Sequence, residues 1–141
     1  MTIEYKKGDL FTAGPEYALA HCISSDIAMG AGIAVKFRDM GVKDALLRMN
    51  RPAWNGNGSC IPVTVDNRKV YNLITKDRYW MKPTLDTMRT SLLDLKSQLA
   101  EPYLAMPLIG CGLDKLKWTD VSDIIKDVFA DTNVHIIVYR L

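Results

Sequence analysis

The chain has 141 residues and a mass of 15.8 kDa, enough for one domain, 1–141, with its own core and too short for a second. Hydrophobic residues make up 48% and charged residues 24%, which argues against disorder and a fibrous class, and a formal charge of only +2 provides no general field for nucleic acid or a membrane surface. Cys22, Cys60 and Cys111 show no CxxC or Cys/His ligand spacing, so neither a disulfide framework nor a metal site is expected, and no apolar run approaches the ~20 residues of a membrane span.

The first segment, Thr2 to Lys7, reads as a strand that ends at Gly8-Asp9. The N-terminus has no signal-peptide core, so an intracellular, soluble protein with reduced thiols is expected. Tyr17 to Ile23 is nearly continuous in apolar residues and predicts a buried central strand. It runs into the polar loop Ser24-Ser25-Asp26. A helical pattern follows from Ala31, with Ile33, Val35 and Phe37, and a short second one from Lys43 to Met49.

Arg51 to Ser59 is rich in turn formers and includes Trp54. Ile61 to Val65 and Lys69 to Thr75, joined by Asp66-Asn67-Arg68, predict a hairpin. Lys76 to Lys82 is expected to be a mobile loop, because Pro83 disfavours helix at the residue before it, while Thr84 is suited to cap the next helix. Leu85, Met88, Leu92, Leu95 and Leu99 mark one face of that helix.

Tyr103 to Pro107 predicts another strand. Thr119 is a plausible cap for a helix with the apolar stripe Val121, Ile124, Ile125, Val128 and Phe129, and Val134 to Tyr139 closes the chain as a strand. The alternation predicts an α/β domain in which one mixed sheet is covered by helices on both faces.

Two glycine-bearing loops follow strands and lead toward helices: Met29, Gly30, Ala31, Gly32 and Ile33, and then Ile109, Gly110, Cys111, Gly112 and Leu113. Glycine lets backbone N–H groups approach an anion, and a helix N-terminus adds a favourable dipole, so each loop is suited to cradle phosphate and the pair to cradle a diphosphate. Taken singly, each is as readily a tight turn. Neither matches the Walker phosphate loop. His21 and His135 lie within predicted strands and read as structural. Cys111 reads either as a thiolate near a helix N-terminus or as a small residue packed in a turn. Trp54 and the pair Tyr79-Trp80 either rim a substrate cleft or cover core.

Taken together, Lys7-Gly-Asp-Leu-Phe11, His21-Cys-Ile-Ser24, Met29-Gly-Ala-Gly-Ile-Ala34, Ile74-Thr-Lys76 before Lys82-Pro83-Thr84, and Pro107-Leu-Ile-Gly-Cys-Gly-Leu-Asp114 before Trp118 resemble the macro domain family. Within it, the match is to the terminal ADP-ribose protein glycohydrolase (O-acetyl-ADP-ribose deacylase) branch, in order and spacing over nearly the whole chain. The resemblance implies a three-layer α/β/α fold with ADP-ribose across a cleft at the strand ends.

It further implies that Asp9 accepts the adenine amino group, that Leu10 supplies a neighbouring backbone contact, and that Tyr139 stacks on the adenine ring. Without it, Asp9 reads as a turn or cap residue and Tyr139 as strand packing. Ser24 falls near the distal ribose, where many macro domains carry asparagine. Lys76 matches the branch's nucleophile toward the anomeric carbon, and Asp114 its acid/base.

An amine attacks only when neutral, so Lys76 needs a partner to take its proton; the bland alternative is a solvated loop lysine. The implied partners are ADP-ribose and ADP-ribosylated protein or nucleic acid, with no cofactor or metal, and a monomer is expected. A non-catalytic ADP-ribose reader and an ADP-ribose 1″-phosphate phosphatase are the alternatives.

Overall fold

The computed structural model describes residues 1–49 and 57–141. Trp54 and the first part of the turn-rich segment lie outside the described residues.

In chain order the elements are β1 (Thr2–Lys7), a 3-10 turn (Leu10–Thr12), β2 (Ala18–Ser24), α1 (Ala34–Asp39), α2 (Val42–Leu47), β3 (Ser59–Val65), β4 (Arg68–Lys76), α3 (Leu85–Gln98), β5 (Tyr103–Met106), α4 (Trp118–Val128) and β6 (His135–Arg140). The strands form one sheet in the order β1-β6-β5-β2-β4-β3. Every pairing is parallel except the β3/β4 hairpin. The C-terminal ends of β1, β6, β5, β2 and β4 therefore emerge along one edge. The segments that follow β1, β2 and β5, together with Lys76 at the end of β4 and Tyr139 near the end of β6, carry the candidate residues.

Side chains alternate across the sheet with the two-residue period of a pleated strand. On one face Ala18, Ala20, Tyr71, Leu73, Leu104, Met106, Ile136 and Val138 pack under α3 and α4. On the other, Leu19, Val70, Ile74, Ala105, Ile137 and Tyr139 pack with Phe37, Val42 and Leu46 of α1 and α2. This is the expected three-layer α/β/α arrangement. Val121, Ile124, Ile125, Val128 and Phe129 are all buried, as their spacing predicts.

The hairpin turn is tighter than the sequence suggests. Asp66 and Asn67, with φ of 51° and 63°, form a two-residue connection whose left-handed pair matches the twist of the flanking strands. Thr84 caps α3 as expected: its hydroxyl accepts from the Thr87 N–H, and Thr87 returns the bond to the Thr84 N–H. Two helix expectations are corrected. Leu85 at the first turn of α3 is exposed, because the buried stripe begins only at Met88. Helix α4 starts at Trp118, with Lys117 in the cap position and no side-chain cap bond, so Thr119 lies inside the first turn.

Candidate active site

Lys76 is the last residue of β4 rather than part of the loop beyond it. Its carbonyl accepts from the Ser25 N–H at 2.8 Å, and its Cα pairs with Ser24 after a register shift between Ile23 and Ser24. A parallel strand buried on both faces thus fixes the root of this lysine. Its ammonium donates to Asp114 Oδ1 at 2.7 Å, and the two side chains are only 13% and 15% exposed. A lysine and a carboxylate 38 positions apart are held together at the sheet edge where the sequence places chemistry.

Asp114 reaches this position on the turn after β5. Gly110 there has φ of 74°, in the left-handed region that glycine alone enters at little cost. Gly112 is different: its φ is not positive, and a β-carbon built on it meets nothing within 4 Å. Gly30 in the first loop is similar, its nearest contact being the Ala28 carbonyl at 3.9 Å. Folding does not demand glycine at these two positions, where a side chain would meet open space.

A β-carbon on Gly32 would stand 3.5 Å from Leu113 Cδ1, so the two glycine loops face one another. Each loop is tied back by an ammonium. Lys43 donates to the Ala28 carbonyl at 3.2 Å, and Lys82 to the Leu113 carbonyl at 2.7 Å. The first loop leads directly into α1, whose cap residue is Ile33. The second does not reach a helix, since α4 begins five positions beyond Leu113. No helix N-terminus therefore faces this loop. The reactive-thiolate alternative for Cys111 loses its basis with that helix end: burial pushes this thiol up to about 11, and its sulfur donates to the Ile109 carbonyl.

Asp26, in the loop after β2, is a structural hub that sequence reasoning did not single out. Its carboxylate accepts from the Ser24 hydroxyl, the Ala28 N–H at 3.3 Å and the Tyr79 N–H at 3.0 Å. Burial raises the carboxyl, yet the bonds from Ser24, Tyr79 and Ala28 and the nearby Arg78 outweigh it and hold the group below the usual carboxylate range. Through Asp26 the loop after β2 is stitched to the segment after β4. Ser24 is buried with its hydroxyl engaged in this knot.

Farther along the same sheet edge, Asp9 follows β1. Its Oδ1 accepts from the Phe11 N–H at 3.0 Å, capping the 3-10 turn, and its Oδ2 lies 3.5 Å from the Lys36 ammonium. The Phe11 bond, opposed by slight desolvation and helped by Lys36, holds this carboxyl below its ordinary value. The group remains 46% exposed, with Lys36 the partner of its outer oxygen. The backbones of β1 and β6 meet here through the Gly8 N–H and the Arg140 carbonyl. Tyr139 is nearly enclosed, packed among Leu10 and Ala13 with the Lys6 ammonium 5.9 Å from its ring centroid. Leu10, Met29 and Ile109 are likewise buried. The remaining loop residues, Ala31, Ile33 and Leu113, are half-buried or exposed.

His21 and His135 hold no catalytic position. His21 is buried, bonded to Asn72 Oδ1 at 2.6 Å and stacked on Phe37; burial lowers it to about 4, against the opposing bond from Asn72. His135 bridges Thr2 and Glu4 on the exposed side of β1. Tyr79 and Trp80 are 65% and 69% exposed, a short way beyond Lys76. Among the described residues no cluster of three or more His, Cys, Asp or Glu side chains is disposed to hold a metal ion, and no helix is long and apolar enough to cross a membrane.

Two facing glycine loops, an aspartate after β1 and a lysine–aspartate pair lie along one edge of the sheet of an α/β/α domain, the edge at which ligands bind in open α/β sheets. No protein-family model matches the chain. Over 144 aligned residues it is 44% identical to the ADP-ribose glycohydrolase OARD1 of Bos taurus and 43% identical to that of Homo sapiens, covering 99% of this chain and 91% of each relative.

Among solved structures, the macrodomain of Thermus aquaticus DarG superposes with a TM-score of 0.86 at 21% identity, covering 99% of both chains. The macrodomain of Mycobacterium tuberculosis DarG gives 0.86 at 25% identity over 99% of this chain and 98% of that one. Thermosipho africanus DarTG, solved in complex with ADP-ribose, gives 0.71 at 18% identity over 96% of this chain and 41% of that one. The chain belongs to the macro domain family, in the group of the ADP-ribose glycohydrolase OARD1 proteins.

Proposed function

We propose that this protein is an ADP-ribose-binding hydrolase that removes ADP-ribose from acidic side chains, and from related O-acyl or nucleic-acid base linkages, with Lys76 as nucleophile and Asp114 as acid/base. The observation that carries the reading is the 2.7 Å contact between the Lys76 ammonium and the Asp114 carboxylate at the end of the cleft opposite Asp9. The names of the relatives, ADP-ribose glycohydrolase, support the same reaction class.

ADP-ribose lies with its adenine toward Asp9, Leu10 and Tyr139, its diphosphate between the loops of Gly30 to Ile33 and Ile109 to Leu113, and its distal ribose beside Ser24, Lys76 and Asp114. The backbone N–H groups exposed by Gly30 and Gly112 take the phosphate oxygens. Asp9 accepts from the adenine amino group through the oxygen that otherwise faces Lys36.

In the reaction Asp114 accepts a proton from the Lys76 ammonium. The free amine attacks the anomeric carbon of the distal ribose; the N–C bond forms as the C–O bond to the acyl group breaks, and its electron pair leaves with the carboxylate. Water then adds to the same carbon, with Asp114 as the proton carrier, and the lysine amine departs. One proton is released to solvent per acyl bond hydrolysed, and the starting pair is restored. Where the leaving group is a nucleobase, protonated Asp114 can supply its proton.

The test is release of ADP-ribose from a carboxylate-linked ADP-ribosyl peptide by wild type, Lys76→Ala and Asp114→Ala. Loss of release in both variants with ADP-ribose binding retained is expected. Unimpaired turnover by either variant removes the mechanism. Tight binding by wild type with no release from any linkage selects an ADP-ribose reader, and phosphate release from ADP-ribose 1″-phosphate that survives Lys76→Ala selects a phosphatase.

A further inference from the structure

We propose that Lys82 is a positioning residue for proton transfer at Asp114, a role that rests on the glycohydrolase reading above. Its ammonium donates to the Leu113 carbonyl at 2.7 Å. That carbonyl belongs to the peptide unit whose nitrogen is Asp114's own. Because the unit is planar, fixing its oxygen fixes the direction from which the chain enters Asp114.

The exit is fixed as well. Lys115 has φ of 64°, a left-handed conformation that a lysine holds only when its surroundings impose it. The turn is closed by the Lys115 N–H on the Gly112 carbonyl at 3.2 Å and the Leu116 N–H on the Gly110 carbonyl at 2.8 Å. Asp114 therefore sits between a pinned peptide and a forced turn, and its carboxylate meets Lys76 as a result. Without Lys82 the entry side loses its anchor, while the exit side keeps its bonds.

Lys82 is suited to be that anchor because its own root is rigid. Pro83 follows it and is buried, which restricts the backbone of the residue before it. Thr84 then opens α3 with a reciprocal capping box. The anchored ammonium reaches an otherwise exposed loop, in which Leu113 is 63% exposed. Such a surface contact adds little to global stability, so its effect belongs to the local geometry of the acid/base. Lys76 and Lys82 thus bound one segment, the first holding the carboxylate of Asp114 and the second holding the backbone next to it.

The experiment measures kcat and KM for a carboxylate-linked ADP-ribosyl peptide, ADP-ribose affinity by calorimetry, and the thermal midpoint, for wild type, Lys82→Met and Lys82→Arg. Methionine keeps the apolar stem and removes the donor; arginine keeps a donor. The expected result is a kcat roughly tenfold to a hundredfold lower in Lys82→Met, the scale of a misplaced catalytic group. The midpoint stays close to wild type, ADP-ribose affinity falls far less than kcat, and Lys82→Arg recovers most of the loss.

An unchanged kcat in Lys82→Met overturns the role, as does a loss that arginine does not relieve. A fall of kcat together with affinity and midpoint also overturns it, since a merely structural lysine behaves that way. A wild type that releases no ADP-ribose overturns the glycohydrolase reading itself and takes this role with it, whereas an active wild type beside an equally active Lys82→Met removes only the role of Lys82.

Discussion

The Lys76 ammonium and the Asp114 carboxylate meet at 2.7 Å although one ends a strand and the other lies in a turn 38 positions later. Substituting Asp114 by Asn keeps the shape and an acceptor oxygen but removes the proton carrier. Asp114→Asn should lower kcat by roughly 10² to 10⁴, the range of a general acid/base, with ADP-ribose affinity nearly unchanged. Single-turnover kinetics on a carboxylate-linked substrate, beside calorimetry with ADP-ribose, check this. A kcat within a factor of about three of wild type, small against that range, would remove Asp114 from the chemistry.

Gly110 and Gly112 separate the two reasons for glycine in one loop. At Gly110, with φ of 74°, a β-carbon would stand 2.7 Å from Met88 Cε and 3.0 Å from Leu116 Cδ1. Gly110→Ala should therefore destabilise by about 1–3 kcal/mol through left-handed strain. At Gly112 a β-carbon meets nothing, so Gly112→Ala should leave the thermal midpoint almost unchanged while weakening ADP-ribose binding by about tenfold or more, as expected where backbone must approach phosphate. Unaltered affinity in Gly112→Ala would dissociate this loop from the ligand.

His21 gives the fold a defined pH dependence. Burial holds its folded value at about 4, whereas an unfolded imidazole titrates near ~6.5. Between these values the unfolded chain binds more protons, so unfolding becomes easier as pH falls. The contribution is fully present above ~6.5 and is lost as pH descends toward the folded value, on the order of 3 kcal/mol over the whole window. Replacing His21 by Gln keeps an N–H for Asn72 and removes the titration. Urea denaturation of wild type and His21→Gln at several pH values should show a flatter profile in the variant; parallel profiles would contradict the assignment.

Asp26 also loses its contribution as pH falls, but here the folded state favours the charged form. Its carboxyl is held below the usual range despite burial, so its stabilisation is present above the unfolded value near ~3.9 and is lost as pH falls through the lower folded value. At neutral pH Asp26→Ala deprives the Ser24 hydroxyl and the Ala28 and Tyr79 N–H groups of their acceptor, at an expected cost of roughly 1–3 kcal/mol. Hydrogen exchange should show the protection lost at Ala28 and Tyr79 first. If exchange there is unaffected, the hub has been misassigned.

Much of the fold is legible in the primary structure because burial imposes a period. The apolar runs of β2, β4 and β6 give strands within a residue or two of their observed limits, and the stripe of α4 gives its buried face. Leu85 misleads, since apolar character at the right spacing does not reveal where a helix leaves the core. Lys76 misleads in a more useful way. A polar residue before a turn-rich segment looks like loop, yet parallel pairing with Ser24 extends β4 to include it.

The composition and spacing determine an α/β fold class, two glycine loops, and the order in which Asp9, Lys76 and Asp114 appear. These are local properties, written in hydrophobic period and turn chemistry. The tertiary structure alone decides which lysine meets which oxygen. Lys76 on Asp114, Lys82 on Leu113, Lys43 on Ala28 and Asp26 on Tyr79 join residues 15 to 53 positions apart. An ammonium bonds any acceptor brought within reach, so its partner follows from the packing of the strands and not from its neighbours in the chain.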